Sequence, residues 1–93
     1  MASVEHTISE ADILTQVVSP DKPGLMPDVA RSILDMHFND VATYRMRELM
    51  DKNNKGTITE SENAEMEKYL RVGTFLDLIQ AKARLSLKDQ SPN

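Results

Sequence analysis

Asp51, Asn53, Thr57 and Glu62 stand at the spacing of a calcium-binding loop. In an EF-hand, twelve residues wrap the cation. Oxygens come from positions 1, 3, 5, 7 and 9, a bidentate Glu stands at 12, and Gly at 6 makes the turn. The run DKNNKGTITESE puts Asp51 at the first position, Asn53 at the third, Gly56 at the sixth and Thr57 at the seventh, with Thr59 at the ninth and Glu62 at the twelfth. Lys55 takes the fifth. A lysine carries three donors and no acceptor, so it removes a ligand and turns a positive charge toward the cation. No second loop of this pattern occurs in the chain. A single EF-hand-like calcium site (Asp51, Asn53, Thr57, Glu62) is therefore the alternative reading, and the favoured expectation is no metal and no cofactor.

The same residues make a better helix junction. Gly56 can take the left-handed conformation that ends a helix, and Lys52 and Lys55 fall where the helix dipole favours cations. Thr59 followed by Glu62 completes a T-x-x-E capping box, and Glu60 adds negative charge to the next first turn. Lys55, awkward for calcium, fits this reading.

The elements around the junction follow from apolar spacing and punctuation. Residues Met1–His6 read as a flexible tail. Thr7 with Glu10, or Ser9 with Asp12, can cap a short helix with Ile8, Ala11, Leu14, Val17 and Val18 near helical spacing. Ser19–Pro27, SPDKPGLMP, is a proline-rich loop. Pro27 suits the first position of a second helix, whose apolar face is Val29, Ala30, Ile33, Leu34 and His37 or Phe38. Asn39 can cap a third helix, from about Asp40 to Asn54, with Ala42, Met46, Leu49 and Met50 as its stripe. A fourth runs from Glu60 to about Leu87, and 88–93 read as a second tail. No alternating strand pattern is present. The expectation is one all-α domain over 1–93, in which short N-terminal helices pack on a long C-terminal helix.

That last helix carries more apolar surface than one packing face needs. At 100° per residue, Tyr69, Val72, Phe75, Leu76, Ile79, Ala83 and Leu87 form one stripe. Leu70, Thr74, Leu78, Ala81 and Leu85 form another. The second stripe is the predicted partner-binding face, for a protein partner or for another copy of the chain. Gly73, inside this helix, is read as a close approach or a kink.

Composition narrows the function classes. The 93 residues include no Cys and no Trp, two Phe, two Tyr and six Met. Thiol chemistry and Cys-based zinc sites are thereby excluded, and the core must be aliphatic with Met as adaptable filler. No apolar run approaches the length of a membrane helix, and the N-terminal segment lacks a signal-peptide pattern, so the expected compartment is the cytoplasm. A net charge of −4 argues against a broad nucleic-acid surface and suits a basic partner. Arg45, Arg47, Arg71, Lys82 and Arg84 could form a basic patch if brought together; a DNA-binding regulator is the second alternative on that ground. His6 and His37 are the only histidines. His37, on an apolar stripe near a helix end, reads as structural. No nucleophile elbow, phosphate loop or Glu-x-x-His pair occurs, so an enzyme is not expected.

Ala30, Ile33-Leu34, Phe38, the run KNNKGTITESE and above all YLRVGTFLDLIQAKARLSL (Tyr69–Leu87) form a pattern across roughly two thirds of the chain. It resembles a family of small bacterial helical proteins of cyanobacterial and planctomycete type. In such relatives the first loop position is often not Asp and the fifth is often basic or polar, as in a helix junction. This chain has Met26 where they usually carry Ser or Thr before the proline. The resemblance implies the smaller component of a two-gene module, sometimes beside an HNH-type endonuclease. The expected function is accordingly a non-enzymatic interaction module, an antitoxin-like inhibitor or accessory subunit of a nuclease-type partner.

Overall fold

A computed structural model describes residues 8–90. They form four helices: α1 (Glu10–Val18), α2 (Pro27–Leu34), α3 (Asp40–Lys55) and α4 (Glu60–Gln90). The long helix therefore continues past Leu87 and takes in Lys88–Gln90, which the sequence had assigned to a tail. The other predicted tail, Met1–His6, lies outside the described residues, as does Thr7.

Local capping sets the helix boundaries. Ser9 and Asp12 form a reciprocal capping box at the start of α1. Its end is Ser19, which adopts a left-handed conformation at φ 51°. Pro27 opens α2 without any side-chain cap from Met26; its fixed φ suits the first turn, where its missing N–H is no loss. Asn39 accepts the amide of Ala42 at 2.8 Å and starts α3. Gly56, at φ 72°, ends α3. Thr59 and Glu62 then form the second reciprocal box, at 3.0 and 3.1 Å, and start α4.

Among the described residues, the packing of helix on helix runs through α4. Each of the three shorter helices packs against it, and among the described residues no Cα of α1, α2 or α3 comes within 8 Å of a Cα of another. α3 runs antiparallel along the first half of α4, tied by Arg45 to Glu65 and Lys52 to Glu62. Leu49 is fully buried there. α2 runs antiparallel along the second half, where Ala30, Ile33 and Ala83 form a small core with Leu25, Leu34, Ile79 and Leu87 packed around it. α1 runs parallel to α4 on a different side. Glu10 pairs with Arg71 at its start, and the Lys82 ammonium donates to the carbonyls of Ser19 and Lys22 at its end.

The result is a flat molecule of 51 × 45 × 17 Å with a radius of gyration of 17.1 Å. A compact chain of this length has a radius near 12 Å, and one helix with its side chains is already about 10–12 Å across. The molecule is thus little more than one helix thick. A single layer encloses little. Among the described residues, the buried hydrophobic ones are Val18, Ala30, Ile33, Leu49 and Ala83. Many large apolar side chains stay open, among them Val17, Met36, Val41, Tyr44, Leu70, Val72 and Phe75.

Candidate functional site

A concavity lies where the α2–α3 corner crosses the middle of α4. The corner, residues 36–39, has no regular structure, so its carbonyls need partners from elsewhere. Gln80 supplies them: its side-chain amide donates to the carbonyl of Met36 at 2.8 Å and to that of Ile33 at 3.1 Å. The His37 ring donates from Nδ1 to the Phe38 carbonyl at 2.9 Å. Phe38 then turns its ring onto α4. It meets Tyr69 edge to face, with centroids 6.0 Å apart, and lies over Gly73, where a Cβ would sit 3.7 Å from Cε2 of the ring. Gly73 thus marks a close approach, made by a side chain from the corner, and α4 runs through it without interruption.

The corner, Met46 of α3 and the middle of α4 together line a groove of about 420 Å³. Its lining includes Met36, Met46, Leu70 and Leu76, with Thr74 and Asp77. Leu70 is 48 % exposed and Met36 54 %. Among the described residues, Asp77 is the one formally charged side chain that lines it. Unbranched methionines adapt to differing shapes, and such surfaces recur where a partner helix is received. The only other titratable groups in the lining are His37 and Tyr69, and no reactive constellation is built around them.

The predicted partner-binding stripe is divided by the fold. Leu70 is open, whereas Thr74, Leu78, Ala81 and Leu85 are half-buried. α1 is the reason. Glu10, Ala11 and Leu14 bound a small cleft together with Arg71 and Thr74, and Leu78 lies between the two α1 anchors, Arg71 and Lys82, at helical spacing. The hydroxyl of Thr74 is turned inward, donating to the Leu70 carbonyl at 3.0 Å. The first stripe is divided too: α2 and the corner take Tyr69, Ile79, Ala83 and Leu87, but Val72 and Phe75 stay exposed. Met36, Met46 and Phe38, which complete the groove, were not legible as site residues, because only the corner's path over α4 brings them there.

The Asp51–Glu62 stretch is a helix junction in this structure. Asp51 to Lys55 are the last residues of α3, so Asp51 and Asn53 belong to a helix and not to an open loop. Lys55 pairs with Asp51 at 3.0 Å, one turn away. Glu62 holds Lys52 with one oxygen and the Thr59 amide with the other. The Lys52 ammonium first, then the Thr59 amide, hold the Glu62 carboxyl down to about 2. No group of three or more His, Cys, Asp or Glu able to hold a metal ion occurs among the described residues.

The suspected basic patch is not assembled. Arg45 is engaged by Glu48 and Glu65, Arg71 by Glu10 and Lys82 by two carbonyls. Arg47 and Arg84 are exposed on different helices, α3 and α4. Among the described residues, no helix is long and apolar enough to cross a membrane. Comparison of the chain with protein-family models, with curated proteins and with solved structures finds no match.

Proposed function

We propose that this chain is a non-enzymatic protein-interaction module, and that its groove between α4 and the α2–α3 corner receives an apolar segment of a partner protein. One observation carries the reading: a wall fixed by Gln80 and Phe38 faces open, adaptable side chains, Met36 and Leu70, across a groove of about 420 Å³. The wall is set before any partner arrives, which limits the entropy lost on binding. The exposed groups are apolar and desolvate readily.

The partner segment is amphipathic and carries a cation. Asp77 is the only formal charge that the described residues bring to the lining, and the whole chain has a net charge of −4. Opposite charge on the partner speeds encounter and fixes register. The narrower reading, an antitoxin-like inhibitor or accessory subunit of a nuclease-type protein, draws on the family resemblance and agrees with a basic partner surface.

The test is affinity capture from the native host, identification of the retained protein, and titration of that protein against variants. Wild type retains it, Leu70→Asp loses it, and Asp77→Lys weakens it more at low than at high salt. Binding unchanged in both variants would overturn the assignment of the groove.

A further inference from the structure

We infer that two copies of this chain pair face to face through the side of α4 opposite the groove, around Val72 and Phe75. At 100° per residue, Leu70, Gly73 and Asp77 lie on one side of α4, while Lys68, Val72 and Phe75 lie about half a turn away. Phe38 and Tyr69 form the wall between the two sides. The second side is a trough bounded by α1 and by Phe38. Val72 is 55 % exposed and Phe75 40 %. Two shallow hollows of about 340 Å³ each flank this ridge, one toward Phe38 and one toward Leu14 of α1.

Three features select a second copy as the occupant. The first is charge. Among the described residues, the formal charges lining the trough are Glu10, Glu65, Lys68 and Arg71, two of each sign, on a chain whose net charge is −4. Two acidic chains repel across most of their surfaces, but this patch is balanced and meets its own copy without that cost. The second is symmetry. Phe75 is the middle residue of α4, Glu60–Gln90. A two-fold axis there crosses the helices at their centres and lets the ridge of each copy enter a hollow of the other, as an isologous interface requires.

The third is area. The chain exposes 7025 Å², whereas a compact monomer of its mass exposes about 5,400 Å². A standard interface takes about 800 Å² from each partner, so half of the difference suffices. Stacking two slabs also brings the thickness, 17 Å in one copy, closer to the 45 and 51 Å of the other dimensions.

Sedimentation equilibrium of the full chain tests this. The wild type should show twice the 10.5 kDa chain mass, and Val72→Asp should lose the dimer at a concentration where the wild type is fully paired. Leu70→Asp, on the opposite side, should keep it, so that loss of dimer and loss of partner binding are read separately. Because the chain has no cysteine, Phe75→Cys gives a second readout that does not depend on a charged variant folding. Mild oxidation should cross-link it across the axis, while Val41→Cys on the outer side of α3 should not cross-link. A wild type that stays monomeric, a dimer that survives Val72→Asp, or equal cross-linking of both cysteine variants would overturn the inference.

Discussion

The Oγ of Ser86 accepts the backbone N–H of Leu25 at 3.1 Å, joining the proline-rich loop to the far end of α4. The same oxygen accepts the N–H of Gly24 at 3.2 Å and donates its own proton to the Lys82 carbonyl at 2.8 Å. Ser86 is 1 % exposed, and its removal leaves two loop amides without that partner. Ser86→Ala should cost about 1–3 kcal/mol, read from denaturant unfolding. A loss within a few tenths of zero would mean that water takes over the amides.

Gly73→Ala should stabilise the chain by up to about 1 kcal/mol, the helix propensity difference at an interior position. A Cβ there would meet Phe38 Cε2 at 3.7 Å, an ordinary contact. Thermal melting decides it. A lower midpoint would mean that the Phe38 ring sits closer to the helix than the spacing allows.

Leu49→Ala should be the most damaging truncation on α3. Leu49 is fully buried, whereas Val41 on the same helix is 78 % exposed. A cavity in place of a buried leucine costs about 2–5 kcal/mol, whereas Val41→Ala should stay within about 0.5 kcal/mol of wild type. Equal effects at the two positions would contradict the packing of α3 on α4.

Acid should loosen the helix junctions. Glu62 is held down to about 2 from an ordinary 4.5, first by Lys52 and then by Thr59. Glu65 is lowered by Arg45, and Asp12 by the amide and then the hydroxyl of Ser9. A carboxyl lowered in the folded state contributes fully above its unfolded value and loses that contribution as pH falls through the folded one. The melting temperature should therefore hold from neutral pH to about 5 and decline below about 4.5. Glu62→Gln should show a shallower decline. Parallel curves for wild type and variant would remove Glu62 from the account.

Calcium at millimolar levels should leave the melting curve of the chain unchanged, since a ligand that binds only the folded state raises its midpoint. A rise that disappears in Glu62→Gln would show that the junction opens into a loop.

The parts of the fold that depend on near neighbours were readable from the chain. The Ser9–Asp12 and Thr59–Glu62 boxes, the Asn39 cap and the Gly56 stop each involve residues no more than a turn apart. The surplus of apolar surface on α4 was readable too, because it follows from spacing along one helix. What spacing could not supply was the allocation of that surface. Nothing local says that α1 lies along Thr74–Lys82, or that the corner after α2 swings Phe38 over Gly73. The polar ties that fix those paths, Gln80 to Met36 and Ser86 to Leu25, join residues 44 and 61 positions apart. Each is an ordinary polar residue until its distant partner is known. The groove is unreadable from spacing for the same reason: Leu70 shares its stripe with Leu78, and only the path of α1 leaves one open and half-buries the other.

Since, among the described residues, the close helix–helix approaches of α1, α2 and α3 are all to α4, their order in the chain constrains how the molecule is born. A ribosome releases the three short helices before the one that receives them. At roughly 5–20 residues per second, they wait a second or more before α4 is complete, and α1 and α2, at 9 and 8 residues, are too short to persist well alone. The nascent chain therefore acquires its native architecture late, once α4 is available to receive the other three helices.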